Sequence, residues 1–276
     1  MYKDLVVNLA IGDERDVATD YAGSIAEAFD AHVCGIAFAY EPAVVPTFMG
    51  GVPTNLIEAQ RAESRKAAET AIARFEAAMR RSRLSAEHRI LAASPFGAAE
   101  QFGGIARRFD LSVVAQVEPE KPAPQQFVTE AALFESGRPV VIVPYIQKQG
   151  LRLDRVVVCW DASRTAARAV ADALPLLIRA KSIHVLTVSR HATKPEDLPA
   201  ADISQHLARH GLNVNAQHVV APDIAVGSAI LSYVADSSAD FLVMGGYGHS
   251  RMRQIVLGGV TREILASMTV PTLMSH

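Results

Sequence analysis

The sequence predicts an α/β protein of two consecutive doubly wound domains, each a five-stranded parallel sheet flanked by helices. Short β-branched runs alternate with longer alanine-rich segments that carry helical apolar spacing, such as 59–79 and 166–178. Some runs, such as 156–159, are apolar throughout, which is typical of strands buried on both faces of a parallel sheet. The same order of elements occurs twice along the 276 residues, which indicates a duplicated domain.

The first half is predicted to span residues 1–146. A strand after Asp4 is followed by a helix and a second strand over 32–38, and a proline-marked segment over 40–55 then leads into a long helix. Asp110 precedes a further apolar strand, and Pro139 introduces the last one. This half therefore holds a complete set of alternating elements.

The second half, residues 152–276, repeats this order after a short polar linker. Asp154 aligns with Asp4, which places Ile11 opposite Asp161, and Asp240 aligns with Asp110. A proline again introduces the last strand, over 272–274. Because the linker is short, we expect the two halves to pack together.

Composition excludes several classes of protein. A net charge of −2 argues against a general nucleic-acid binder. No apolar stretch reaches the roughly 18 residues of a membrane helix, and the N-terminus enters a strand without a secretory signal, so we expect a cytoplasmic protein. Cys34 and Cys159 lie in apolar strand segments and are predicted to be buried free thiols.

The clearest functional signal is a glycine-rich segment after the fourth strand of the second half. Gly245, Gly248 and Gly258 would let the backbone approach a ligand, and free N–H groups there and at the next helix start favour anions. The segment therefore predicts a phosphate cradle, although the loop ending in Gly-Lys-Ser/Thr is absent. The alternative is that these glycines serve only a tight turn and close backbone packing.

The spacing of these three glycines, with the following Gly-Val-Thr-Arg-Glu-Ile-Leu and the closing Val-Pro, resembles the nucleotide-binding signature of the universal stress protein family. The resemblance covers both halves and implies a tandem member with Rossmann-like domains. It implies that Asp161 faces the nucleoside and that Val188 lies beside the adenine. The implied site consists of Asp161, Ala162, Ser163, Val188, Met244, Gly245, Gly248, His249, Gly258, Gly259, Val260 and Thr261.

Gly259 departs from the signature, which has Ser or Thr at this position. Loss of a hydrogen bond to a charged phosphate costs about 1.5–3 kcal/mol, or roughly ten- to a hundredfold in affinity. We therefore expect weak binding of ATP or another adenine nucleotide, with Mg²⁺ as a further candidate cofactor. His249, Arg251 and Arg253 are candidates to offset part of the loss. Asp161 and Ser163 also suit a helix N-terminus, which is compatible with either interpretation.

The first half is predicted to lack the nucleotide site. Its matching segment, 116–124, holds three prolines and two glutamates, which remove donors and repel phosphate, and Ile11 replaces the acidic residue. Relatives associate through the strands that close their sheets, and Val140–Val143 and 272–274 resemble those strands. The resemblance thus implies an internal pseudo-dimer and a further homodimer.

No catalytic group or metal site can be predicted from the sequence. Ser163 and Thr261 lack a neighbouring base at a recognisable spacing, and His206 and His210 lack a third ligand. The leading interpretation is a nucleotide-responsive module of the stress response, at most a slow ATPase. One alternative is a structural protein that acts through dimerisation without a ligand. A weaker alternative is an adenylate-forming or hydrolytic enzyme.

Overall fold

The computed structural model describes residues 1–12, 15–41, 54–118, 125–191, 200–246 and 259–276. Strands and helices alternate along these residues within each half of the chain. The strands are β1 (Asp4–Asn8), β2 (His32–Tyr40), β3 (Ala86–Ala93), β4 (Leu111–Ala115), β5 (Val140–Val143), β6 (Arg155–Cys159), β7 (Ser182–Ser189), β8 (Val214–Val220), β9 (Phe241–Gly245) and β10 (Thr272–Ser275). The helices are α1 (Val17–Phe29), α2 (Thr54–Arg81), α3 (Pro95–Ala106), α4 (Gln125–Phe134), α5 (Arg164–Leu177), α6 (Ala200–Arg209), α7 (Val226–Asp236) and α8 (Gly259–Ser267).

The strands form one ten-stranded sheet in the order β3-β2-β1-β4-β5-β10-β9-β6-β7-β8. Each half contributes five parallel strands, as predicted. The two halves meet where β5 and β10 pair antiparallel, with Leu273 opposite Val141. The prediction that the two proline-introduced strands join the halves is therefore confirmed, whereas the domain limits at 146 and 152 stay predictions.

Two apolar cores cover the two faces of this sheet and continue from one half into the other. Side chains of α1, α2, α5 and α6 pack on one face, and those of α3, α4, α7 and α8 pack on the other. Successive residues of a strand alternate between the cores: Val156 and Val158 belong to the first and Val157 to the second. Burial on both faces explains why the strands are apolar throughout.

Two aspartates mark the same place in each half. The Asp110 carboxylate accepts hydrogen bonds from the backbone N–H groups of Lys3 (2.8 Å) and Asp4 (3.1 Å). The Asp240 carboxylate likewise accepts from the backbone N–H groups of Asp154 (3.0 Å) and Arg155 (3.4 Å). Asp110 and Asp240 are therefore equivalent, as the sequence alignment predicts.

The same bonds correct that alignment at the first strand of each half. Asp4 is equivalent to Arg155 rather than to Asp154, so the predicted alignment is wrong by one residue. Asp161 consequently corresponds to Ala10, and the predicted match with Ile11 is wrong. The error arises because an aspartate precedes both apolar runs, although only the ladder of hydrogen bonds fixes their register.

Polar contacts also join the halves away from the sheet. The Ser24 hydroxyl accepts from the Leu151 N–H at 2.8 Å, and the Tyr2 hydroxyl donates to the Asp172 carbonyl at 2.6 Å. The Arg179 guanidinium lies 4.4 Å from the centre of the Phe29 ring. These contacts and the shared cores make the halves one packed body.

Several smaller predictions can be compared with the described residues. Both cysteines are free thiols; Cys34 is buried and Cys159 is half-buried, and burial raises the pKa of each to about 12. His206 and His210 are exposed, and the described residues contain no group of three side chains placed to bind a metal. No described helix has both the length and the apolar character needed to cross a membrane.

Candidate functional site

The candidate site of the second half lies at the carboxyl ends of β6 and β9. The chain order runs outward from β6 to β7 and β8 on one side, and to β9 and β10 on the other. The helix after β6 covers one face of the sheet, and the helix after β9 covers the opposite face. Such a switch point opens a crevice where open α/β sheets bind their ligands.

A three-residue turn after β6 presents an acidic side chain at this crevice. Ser163 is the N-cap of α5, and its hydroxyl accepts from the Ala166 N–H at 3.1 Å. The Ser163 N–H in turn donates to Asp161 Oδ1 at 3.0 Å, with Ala162 in the left-handed region at φ 59°. Asp161 is exposed, and among the described residues its Oδ2 has no hydrogen-bond partner. The turn therefore fixes a carboxylate that can still accept from a ligand.

Gly245 has a packing role that is visible in the structure. A β-carbon on Gly245 would lie 2.6 Å from both the Ala166 N atom and the Thr165 carbonyl carbon, which no side chain can tolerate. The first turn of α5 thus crosses directly over the end of β9. For this glycine, the close-packing alternative is supported, and the packing also brings the helix start to the crevice.

The start of α8 forms the opposite side of the crevice. Gly259 is exposed, and an added β-carbon would have no heavy atom of the described residues within 4 Å. Val260 is half-buried and Thr261 is buried, with 3% exposure. Met244 is also buried, in the core beneath the sheet. Gly248, His249 and Gly258 lie in 247–258, outside the described residues.

Val188 lies at the end of β7, next to the turn that carries Asp161. The ladder continues past β6, since the Trp160 N–H donates to the Leu186 carbonyl at 2.9 Å. Val188 is half-buried and packs against the core on the α8 face. Its position beside Asp161 agrees with an apolar wall for a ligand, while its role there stays a prediction.

Sequence reasoning missed a polar pair beyond Val188. The Ser189 hydroxyl and His218 Nε2 lie 2.8 Å apart across β7 and β8. His218 alternates with apolar residues along β8 and is half-buried. A histidine that alternates with apolar residues carries no sign of its strand partner, so only the pairing of the two strands could reveal it.

Comparison with known proteins identifies the second half. Residues 152–276 match the model of the universal stress protein family. The C-terminal half of this chain belongs to the universal stress protein family. A universal stress protein of Synechocystis is 25% identical over 138 residues, which cover 49% of this chain and 46% of that protein. The chain thus spans about half the length of this curated relative.

Solved structures extend the similarity in fold to the whole chain. A universal stress protein from Archaeoglobus fulgidus has a TM-score of 0.68 at 18% identity and covers 99% of this chain and 95% of its own. A functionally unknown protein from Pseudomonas aeruginosa PAO1 has a TM-score of 0.61 at 12% identity, with 99% and 92% covered. At these identities the similarity concerns the fold alone, and it includes the first half.

In the first half, two charged side chains bind the backbone of Ala10, the residue equivalent to Asp161. Asp16 Oδ2 accepts from the Ala10 N–H at 3.0 Å, and Asp16 Oδ1 accepts from the Thr19 N–H at 3.0 Å as the N-cap of α1. Arg74 Nη2 donates to the Ala10 carbonyl at 3.0 Å. Burial raises the pKa of the Asp16 carboxyl, although its hydrogen bonds and Arg74 oppose that shift. An acidic residue is therefore present near the end of β1, but both of its oxygens already accept hydrogen bonds from backbone N–H groups of the chain.

Proposed function

We propose that this universal stress protein is a regulatory module that binds an adenine nucleotide in its second half. The observation that carries the proposal is the exposed Asp161 carboxylate, held by a rigid turn at the switch point between β6 and β9. Its Oδ2 is free among the described residues, and carboxylates accept hydrogen bonds from the hydroxyl groups of a ribose. In the proposed complex, Val188 contacts the base from the neighbouring strand.

The phosphates are proposed to bind at the start of α8 and along the glycine-rich segment that precedes it. The first N–H groups of a helix have no partners within the helix, and they carry partial positive charge. Gly259 opens this helix and is exposed, so its backbone is accessible to an anion. Because Gly259 has no hydroxyl, we expect the terminal phosphates to be held weakly.

The proposed role is binding rather than turnover. The hydroxyl of Ser163 caps α5 and lies 3.1 Å from the Thr165 hydroxyl, so it has neither the freedom nor the basic neighbour of a nucleophile. Mg²⁺ bound with ATP, a homodimer and a cytoplasmic location remain predictions of the sequence. The loss of a nucleotide site from the first half is likewise a proposal, supported by the hydrogen bonds of Asp16 and Arg74 to the backbone of Ala10.

A second candidate is a structural protein without a ligand. The observation in its favour is the continuous sheet, in which β5 and β10 fuse the two halves through antiparallel pairing. Under this candidate the second crevice would be a remnant of the fold. The two candidates differ in whether a nucleotide binds at all.

Isothermal titration calorimetry with ATP, ADP and AMP separates them. We expect binding of at least one nucleotide, weakened about ten- to a hundredfold by Asp161→Asn, which loses a charge-assisted hydrogen bond. Asp236→Asn is the matched control, because Asp236 is an equally exposed aspartate at the end of α7, toward the opposite edge of the sheet. Absence of heat with all three nucleotides at millimolar concentration would reject the proposal in favour of the structural candidate.

A further inference from the structure

Gly246 is the residue at which the chain leaves β9 and enters the glycine-rich segment. It is buried and is held by the neighbouring strand, since its N–H donates to the Ser275 carbonyl at 2.8 Å. Its carbonyl lies 3.1 Å from His276 Nδ1. The backbone N–H and carbonyl of Gly246 are therefore both held by residues at the C-terminal end of the chain, Ser275 and His276.

The third contact of Gly246 comes from the first half of the chain. A β-carbon on Gly246 would lie 3.0 Å from both Cδ atoms of Leu133 in α4, closer than an ordinary van der Waals contact. Leu133 is 3% exposed and packs in the core of the α4 face, so its side chain has little room to move. The neighbouring Phe134 ring also lies 5.1 Å from the His276 ring. Helix α4 thus forms a wall against the exit of β9.

The equivalent residue of the first half shows the opposite arrangement. The Gln116 N–H donates to the Val143 carbonyl at 2.7 Å, as that of Gly246 does to Ser275. The Gln116 side chain itself crosses to the second half, where Nε2 donates to the Leu265 carbonyl of α8 at 2.9 Å. At this position the first half extends the Gln116 side chain into the second half. The second half instead has a glycine, Gly246, which leaves space for Leu133 of the first half. The glycine at 246 is therefore matched to a particular side chain of the other half.

We propose that Leu133 is a positioning residue for the nucleotide site, through which the first half sets the path of the chain out of β9. This inference rests on the proposed function, because Gly246 lies directly before Tyr247 and Gly248 of the phosphate-binding segment. Backbone amides bind an anion well only when a supporting shell holds them in place beforehand. The first half then acts as part of the site without touching the ligand.

Substitutions that move side-chain volume from Leu133 to Gly246 test this role. Gly246→Val adds three carbons to the contact, and Leu133→Ala removes three. We expect each single variant to weaken nucleotide binding about tenfold or more in calorimetry, and the double variant to bind within about threefold of the unaltered chain, because volume-conserving changes are tolerated best. If Gly246→Val does not fold, Gly246→Ala replaces it, since its single added carbon meets the same Leu133 methyl groups.

Val128→Ala is the matched control, because Val128 is another buried side chain of α4, whereas the three atoms nearest to a β-carbon on Gly246 all belong to Leu133. It should lower the melting temperature without changing the dissociation constant. The role of Leu133 would be overturned if both single variants bound nucleotide as tightly as the unaltered chain. It would also be overturned if the double variant bound no more tightly than the single variant with the lower affinity.

Hydrogen exchange separates this inference from the proposed function. Leu133→Ala should speed exchange of the Gly246 amide at least about tenfold more than Val128→Ala does, since only the first removes the wall. If the unaltered chain binds no nucleotide, the proposed function fails, and this exchange still decides whether Leu133 positions Gly246. Equal exchange in the two variants would contradict the inference.

Discussion

The two crevices of this molecule share a topology, yet they use an acidic side chain in opposite ways. Behind β1, the Asp16 carboxylate turns inward and accepts from the Ala10 N–H, while Arg74 binds the Ala10 carbonyl. Behind β6, the Asp161 carboxylate, at the position that Ala10 holds in the first half, is exposed and retains one unpartnered oxygen among the described residues. The same sheet topology thus holds one carboxylate that is bonded to its own backbone and one that retains an oxygen for a ligand.

The length of that turn explains the difference. The cap of α5, Ser163, follows Asp161 by two residues, whereas the cap of α1, Asp16, follows Ala10 by six. The short turn draws α5 directly onto the end of β9, where only glycine fits. The longer turn allows Asp16 to fold back over β1, and Ala115 ends β4 in place of a glycine.

The largest expected effect comes from Gly245→Ala, which tests the close approach that is specific to the second half. The new methyl group would overlap the backbone of α5 at 2.6 Å, so we expect the free energy of unfolding to fall by about 3 kcal/mol. Urea denaturation measures the change. Gly259→Ala is the control, and it should stay within about 0.5 kcal/mol because the added carbon meets no atom of the described residues within 4 Å.

The two acidic residues should differ in their contribution to stability. Asp16→Ala removes the cap of α1 and leaves the buried Ala10 N–H unpartnered, which should cost about 2 kcal/mol in urea denaturation. Asp161→Ala should cost less than about 0.5 kcal/mol, since its one described bond is exposed. Equal losses in the two variants would remove the distinction between a structural and a ligand-facing carboxylate.

Gly259→Ser should sharpen the contrast between the halves by strengthening binding in the second. No heavy atom of the described residues lies within 4 Å of a β-carbon at this position, and the new hydroxyl can donate to a phosphate at the start of α8. We expect about a tenfold gain in ATP affinity by calorimetry, with little change for adenosine. A gain of the same size for adenosine would place the phosphates elsewhere.

The smallest effects concern the left-handed residue in each turn. Gly12, at φ 85°, and Ala162, at φ 59°, occupy this region in the first and second turn. Gly12→Ala should destabilise by about 1 kcal/mol, whereas Ala162→Gly should change stability by less than about 0.5 kcal/mol, because relief of strain is offset by a more flexible unfolded chain. Thermal denaturation of both variants measures these changes in stability. A large increase in stability from Ala162→Gly would indicate a strained turn.

The sequence predicts the layered fold well because strands buried on both faces leave a strong apolar signal, as in Val140–Val143. It predicts the register of the repeats poorly. The aspartates at 4 and 154 look equivalent in the sequence, yet the bonds to Asp110 and Asp240 shift the alignment by one residue. Register depends on pairing between distant strands, which local residue patterns do not specify.

The candidate site is predictable in part for a similar reason. Asp161 and Ser163 can be found because a strand end followed by a helix cap is a local pattern. The inward turn of Asp16 and the packing of Leu133 on Gly246 depend on residues far apart in the chain, and no spacing reveals them. For Gly245, the sequence motif predicts a glycine at the end of the strand. It does not predict the close approach of α5, whose residues are the nearest neighbours of this glycine.

Hydrogen–deuterium exchange of the unaltered chain, with and without millimolar ATP, tests the difference between the two crevices most directly. We expect slower exchange with ATP around 159–166 and around the start of α8, and no change around 8–18 and 113–118 of the first half. Protection confined to the first half, or equal in both halves, would contradict the assignment of the nucleotide to the second crevice.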